Sequence, residues 1–297
     1  MVSRKSALTF ALLSTCFSSI SVLFHNIAAK ELPLFQALAG SHVLGGLGLL
    51  LFIMLRREKI KWHTVNNHRL DLFMVLMCRF LVGAIILWYA HSLTTAMKAM
   101  FFSKIEPYLI LILNWLIDGS KVPRTHLILL FFHLVGVGLL SNVSLHEFGA
   151  ANIGDCLFIL AMFIYACSYR FAARLSSGVS TLSLTMIVQL ASGIIFIPIA
   201  LYQTPLAEWT FIGPGWEALY MTVIFWSYLG LPFWFIALQG LPGWLVSALR
   251  AVGPILAAPI AIIFFNQSLN AVQWSGAILI LATSFLLARE KKMEQKS

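Results

Sequence analysis

Residues 106–124 read EPYLILILNWLIDGSKVPR, a Glu-Pro pair followed by an unbroken apolar run and a short polar turn from Asp118 to Arg124, after which another apolar stretch begins. Residues 253–270, GPILAAPIAIIFFNQSLN, set out the same order 147 residues later, again leading into a further apolar stretch. The same offset carries Ala7, where the first apolar segment opens, onto Gly154, where the sixth opens. Working outward from these landmarks, the segments fall at 7–28, 33–55, 71–92, 97–117 and 125–141, then at 154–174, 179–202, 216–239, 244–265 and 271–288. Each half holds five, and because five is odd the second copy enters a membrane from the opposite side to the first. The spacing predicts an all-α integral membrane protein of ten transmembrane helices in two inverted repeats. The first covers residues 1–146; the second covers 147–297 and ends in a basic tail.

Composition requires lipid as the solvent for these segments. The 297 residues are 60% hydrophobic and 10% charged, against roughly 45–50% apolar and about 25% charged in soluble domains. The segments approach the roughly 20 residues needed to cross a hydrocarbon core. They are continuous runs of Leu, Ile, Phe and Ala, so they satisfy their backbone as helices and not as barrel strands. The formal net charge of +9 lies in the connections between segments, a pattern that excludes a nucleic-acid face and reports topology. Arg4, Lys5, Arg56, Arg57, Lys59, Lys61, Arg69, Lys121, Arg124, Arg170, Arg174, Arg289, Lys291, Lys292 and Lys296 all fall on one side, and only Lys30 lies clearly on the other. Both termini are therefore expected in the cytoplasm, in a multi-pass protein of a bacterial inner (plasma) membrane. Trp88, Trp115, Trp209, Trp216, Trp244 and Trp274 fall near segment ends, where an amphipathic ring suits the headgroup level.

Cys16, Cys78, Cys156 and Cys167 lie inside apolar segments without ligand spacing, so neither a disulfide nor a metal site is expected. No phosphate-binding Gly loop, zinc signature or nucleophile elbow occurs, and the connections are too short for a soluble catalytic or nucleotide-hydrolysing domain. No cofactor is expected, and the energy source is a gradient. Asp71, Asp118 and Asp155 stand singly at segment ends, which leaves an integral membrane enzyme as a remote alternative.

The stretches Ala96–Tyr108 (AMKAMFFSKIEPY) and Leu245–Pro254 (LVSALRAVGP), with the entry of the sixth segment from Gly154 to Arg170, resemble the drug/metabolite transporter superfamily, and within it chains with two EamA domains of five helices each. The resemblance spans nearly the whole chain. Where that family often has Gly-Glu after its fourth and ninth helices, this sequence has Asp118-Gly119 and Asn266-Gln267. The resemblance implies a secondary transporter of small metabolites with a central cavity between the halves and alternating access.

Ionisable side chains inside a bilayer cost about 2.5–3.5 kcal/mol at a helix centre, so each needs an explanation. Five stand out: Arg79, Lys98, Lys104, Glu106 and Arg250. Lys98 is close enough to the outer interface to snorkel, and Arg79 and Arg250 divide evenly between snorkelling and substrate binding. Glu106 is the strongest candidate, being nearest the midplane and too short to snorkel. It is read as a proton or substrate-cation site, with a fixed ion pair to Arg79 or Lys104 as the competing interpretation. Lys104, two residues away on one helix, points nearly opposite to it. Tyr108, Tyr165, Tyr169 and Trp226 are candidate aromatic walls, with plain packing as the competing reading. Pro107 and Pro254 each free a carbonyl one turn earlier and are candidate hinges at matched positions. His25, His42, His91 and His133 read as interhelical hydrogen-bonding groups. Gly45, Gly46 and Gly48 permit close approach to a helix of the same chain or of a second copy, so monomer and homodimer both stay open.

Four intramembrane cations against one carboxylate favour a substrate carrying an anionic group. The expected function is export of an amino acid or amino-acid derivative, with protons as the coupling ion through Glu106. Gradient-driven uptake or exchange of an anionic metabolite is the alternative.

Overall fold

The structure, a computed structural model, describes residues 2–60, 62–93, 101–120, 122–141, 153–253, 255–256 and 270–289. Among these the chain is predominantly helical and contains no strand. Besides a short helix at Trp62–Asn67, the helices are α1 (Arg4–Glu31), α2 (Leu34–Leu55), α3 (Arg69–Leu93), α4 (Glu106–Asp118), α5 (Arg124–Ser141), α6 (Ile153–Gly178), α7 (Thr181–Gln203), α8 (Pro214–Leu238), α9 (Gly243–Val252) and α10 (Ala271–Arg289). Seven of them, α1–α3, α6–α8 and α10, are long and apolar enough to cross a membrane. The other three are shorter as described. The expected segments 97–117 and 244–265 run through residues outside the described set, as does Pro254.

Local chemistry sets the ends. Ser3 opens α1, its Oγ accepting the Ser6 amide at 3.2 Å, a cap that satisfies one of the orphan donors of a first turn. Gly119, at φ 63°, closes α4 by returning its amide to the Trp115 carbonyl at 3.0 Å, a left-handed conformation that glycine adopts without penalty. Pro107 stands at the first turn of α4, directly after a 3₁₀ turn over Ser103–Ile105. Its missing N–H is thus placed where a helix has unbonded amides anyway.

The duplication is visible in the irregularities of the backbone. A π-helical turn interrupts α3 at Leu76–Leu81 and another interrupts α8 at Val223–Gly230, their starts 147 residues apart. The 3₁₀ turns Ser103–Ile105 and Arg250–Val252 are separated by the same 147 residues. Helix contacts obey the same exchange. Helix α1 packs on α8 and α3 on α6, while α2 pairs with α7, α4 with α9 and α5 with α10. Replacing each helix of one half by its counterpart in the other returns the same set of pairings, as a two-fold relation between the halves requires.

Small residues allow this packing, since lipid supplies no hydrophobic drive between helices and close van der Waals contact must replace it. A Cβ added at Gly46 would come within 2.6 Å of the Leu190 side chain; one added at Gly193 would come within 2.8 Å of Val43. Both pairs are related by the repeat, 46 to 193 and 43 to 190. Gly45 faces Ser227, and Gly48 faces Tyr228. The glycines of α2 are therefore used against α7 and α8 of the same chain.

One face gathers the start of α1, the end of α10 and several basic side chains. Arg4 Nη2 donates to the Ala288 carbonyl at 3.0 Å, Arg170 pairs with Asp118 at 2.8 Å, and Arg174 pairs with Asp71 at 2.5 Å. The exposed Arg170–Asp118 pair contributes little stability, about 0–1 kcal/mol, but these contacts join the α1 start to the α10 end, and the later part of α6 to the end of α4 and the start of α3. The tryptophans correct the sequence reading in part. Trp115 and Trp274 are exposed as a headgroup belt requires, whereas Trp88, Trp216 and Trp244 are buried against neighbouring helices of the chain.

Candidate functional site

Glu106 lies where α4 begins and is 1% exposed. Its Oε2 accepts from Ser247 Oγ at 2.7 Å and from Tyr169 OH at 2.9 Å, and Arg250 Nη1 approaches the same oxygen at 3.4 Å. Its Oε1 faces Arg79 Nη2 at 3.5 Å and has no hydrogen-bond partner among the described residues. One oxygen is thus saturated by donors from α6 and α9, in the second repeat. The other is held by charge alone, from α3 in the first.

Arg79 is 4% exposed. Its guanidinium donates Nη1 to Ser168 Oγ at 3.0 Å and is surrounded by three rings, Trp234 at 4.3 Å, Tyr165 at 4.5 Å and Tyr169 at 4.9 Å. Aromatic faces attract a desolvated guanidinium by about 2 kcal/mol or more, which offsets part of the cost of burying it. The expectation that Arg79 could snorkel is therefore corrected: the cage and the carboxylate hold it inside. Arg250 is half-buried and likewise turns inward, its guanidinium 5.9 Å from the Trp226 ring.

The backbone irregularities deliver these groups. Arg79 stands on the π turn of α3, Arg250 on the 3₁₀ turn that ends α9, and Glu106 directly after the 3₁₀ turn before α4. Trp226 stands on the π turn of α8, 147 residues after Arg79. A widened or tightened turn shifts the side chains that follow it by a fraction of a turn, a common device at functional sites. Lys104 points away from Glu106, as its spacing requires, and crosses to the other repeat to donate Nζ to the Arg250 carbonyl at 3.1 Å.

The structure thus brings Glu106, Arg79, Arg250, Lys104, Tyr165, Tyr169 and Trp226 into one neighbourhood. Tyr108 is elsewhere, its hydroxyl donating to the Leu130 carbonyl of α5. Lys98 and Pro254 fall outside the described residues. Of the histidines, His42 bonds Ser192 at 2.6 Å, while His133 bridges Thr283 at 2.9 Å and the Ala248 carbonyl at 3.2 Å. His25 and His91 instead pack as tilted rings, centroids 5.0 Å apart, each with a buried nitrogen that lacks a partner among the described residues.

Three members of the site were missed in the sequence: Ser168, Ser247 and Trp234. A periodicity signal existed for each. Ser168 shares a helix face with Tyr165 and Tyr169, Ser247 lies three residues before Arg250, and Trp234 lies about two turns after Trp226 on one helix. The Trp234 Nε1 donor is buried without a hydrogen-bond partner among the described residues.

The family model for the EamA-like transporter family matches residues 5–142 and again 152–289, the two matches offset by the same 147 residues as the backbone irregularities. The chain is 21% identical over 291 residues to an uncharacterized transporter, YetK, of Bacillus subtilis, covering 92% of this chain and 83% of the relative. It is similar in fold to a protein of known crystal structure, with a TM-score of 0.75 at 17% identity, across 97% of this chain and 100% of the other. With two family domains over nearly its whole length, this chain belongs to the EamA-like transporter family.

Proposed function

We propose that the protein is a secondary transporter that exports a small polar metabolite bearing an anionic group, of the amino-acid class, by alternating access between its two halves. The observation that carries this reading is the double grip on Glu106. Arg79 of the first repeat holds one carboxylate oxygen, while Tyr169, Ser247 and Arg250 of the second hold the other. A group at that boundary is the one a rocking motion of the halves would expose to each side in turn. Glu106 serves as the proton site, and the proton gradient drives net export.

The paired irregular turns are the points at which the helices bend. Pro107 follows one of them, and Pro254 follows its counterpart in sequence, so both remain the proposed hinges. A cavity of about 460 Å³ opens beside the C-terminal end of α6, lined by Glu58, Lys59, Ser176, Ser180 and Gln239 among others. It sits at the connection between α6 and α7, with Ser176 about two turns beyond Tyr169 on α6, which makes it the proposed mouth on that side. Both termini are assigned to the cytoplasm of an inner (plasma) membrane, on the strength of the basic connections gathered there. The internal use of the α2 glycines favours the single chain as the working unit.

The test is reconstitution of purified protein into liposomes with a panel of labelled amino acids and derivatives under imposed pH gradients. The reading expects flux of at least one such compound that responds to the gradient. Absence of flux for every compound would overturn it.

A further inference from the structure

The N-terminus of α7 opens on the cavity of about 460 Å³ that Glu58 and Lys59 line from the connection after α2. The first intrahelical bond of α7 runs from the Leu184 amide to the Ser180 carbonyl at 2.8 Å. The amides of Thr181, Leu182 and Ser183 precede it and have no acceptor within the helix. Ser180 is of the residue type that normally supplies one, yet its hydroxyl makes no cap and donates instead to Glu58 Oε1 at 2.8 Å.

A second group points the same way. Ser183, three residues on from Ser180 and on the same helix face, lines the cavity and is 1% exposed, and its Oγ has no hydrogen-bond partner among the described residues. Leaving a buried hydroxyl unpaired costs about 1–3 kcal/mol, so it needs a reason. Other polar groups on the wall are already bonded. Ser176 donates to the Ala173 carbonyl at 2.9 Å, and Gln239 donates to the Ser176 carbonyl at 2.8 Å and to Thr181 Oγ1 at 3.3 Å. What is left to meet a ligand is the amides, the Ser183 hydroxyl and the Lys59 side chain, all of which can donate.

Donors gathered at the positive end of a helix dipole suit an oxyanion. A phosphate monoester, with three terminal oxygens, can engage the amides, Ser183 and Lys59 at once, whereas a carboxylate has two. The cavity exceeds the volume of one inorganic oxyanion, so it has room for the organic part of the ester. We infer that the N-terminus of α7 is a binding site for a phosphate monoester, held by the amides of Thr181, Leu182 and Ser183, by Ser183 Oγ and by Lys59, with Glu58 as the opposing charge. Ser176 lies about two turns beyond Tyr169 on α6, so a ligand here is held apart from Glu106. Lys59 belongs to the first repeat and α7 to the second, so the bound ester joins the two halves. The ester comes either from a soluble metabolite or from the headgroup of a phosphatidic acid in the adjoining leaflet.

The test is titration calorimetry of the full-length protein in detergent, at constant ionic strength, with glycerol 3-phosphate, dihexanoyl phosphatidic acid and acetate. At least one of the two esters is expected to bind saturably, one per chain, with acetate weaker by tenfold or more. Ser183→Ala, which removes one oxygen atom, and Lys59→Gln are each expected to weaken the ester by fivefold or more, while Glu58→Gln strengthens it by a similar factor. Phosphatidic acid tighter than glycerol 3-phosphate by tenfold or more assigns the site to lipid; equal or weaker binding assigns it to a soluble ester. Absence of saturable binding by both esters, acetate binding as tightly as the ester, or an affinity unchanged in Ser183→Ala would overturn the inference. Each of these results leaves the transporter reading standing, because that reading is tested by flux.

Discussion

Glu106 and Arg250 meet 3.4 Å apart across the boundary between the two repeats, one at the start of α4 and the other at the end of α9. Each stands at a 3₁₀ turn, and the two turns are counterparts in the duplication. The pair therefore joins equivalent points of the two halves, and any motion that separates the halves changes it. Placing a charge pair at such a point couples occupancy of the site to the arrangement of the fold.

Removing Arg79 leaves Glu106 short of a countercharge and three aromatic faces without a cation. Arg79→Ala is expected to destabilise the protein by about 3–5 kcal/mol and to abolish substrate binding. Arg79→Met combined with Glu106→Gln should recover part of the stability but none of the binding, because the two most deeply buried charges are removed together and only the half-buried Arg250 loses its partner. Thermal unfolding in detergent reads the first effect and calorimetry the second. A double variant no more stable than Arg79→Ala would show that the pair is not what stabilises this region.

Tyr169→Phe deletes a hydroxyl that donates to a carboxylate and little else. Hydrogen bonds to charged groups contribute about 1.5–3 kcal/mol, so substrate affinity is expected to fall by roughly tenfold or more. Packing against Trp234, where the rings meet edge to face at 5.3 Å, is retained. Unchanged affinity in a titration would remove Tyr169 from the binding set.

The reciprocal contacts of Gly46 with Leu190 and Gly193 with Val43 make a prediction about symmetry. Gly46→Ala and Gly193→Ala are expected to cost similar amounts, each about 1–3 kcal/mol from overpacking. Unfolding midpoints differing by the whole of that range would mean that the α2 and α7 faces are not equivalent.

Orientation can be read chemically. Ser3, exposed at the start of α1, replaced by cysteine in a background without the other four, is expected to react with a membrane-impermeant thiol reagent only after cells are permeabilised. Reaction in intact cells would reverse the assignment of the termini.

Much of this fold was legible in the sequence because its determinants are one-dimensional. Apolar run length, the side on which Lys and Arg cluster, and the 147-residue offset all survive without coordinates. Glu106 was legible for the same reason, since a carboxylate in an apolar run announces its own cost. What was not legible depends on azimuth and crossing. The sequence grouped Tyr108 with Tyr165, Tyr169 and Trp226 as candidate aromatic walls, but only the placement of α4 beside α5 shows that its hydroxyl goes to Leu130. Ser168 and Ser247 carry no cost that marks them, and they acquire meaning once α6 and α9 bring them to Arg79 and Glu106. The π turns left no trace in hydropathy, because Leu76–Leu81 and Val223–Gly230 read as ordinary apolar helix.

The most direct measurement is amino-acid flux in proteoliposomes as a function of the imposed pH gradient, compared between the wild-type protein and Glu106→Gln. A transporter working through Glu106 gives wild-type flux that follows the gradient and leaves any residual flux of Glu106→Gln indifferent to it. Gradient-driven flux undiminished in Glu106→Gln would contradict the central role of that carboxylate.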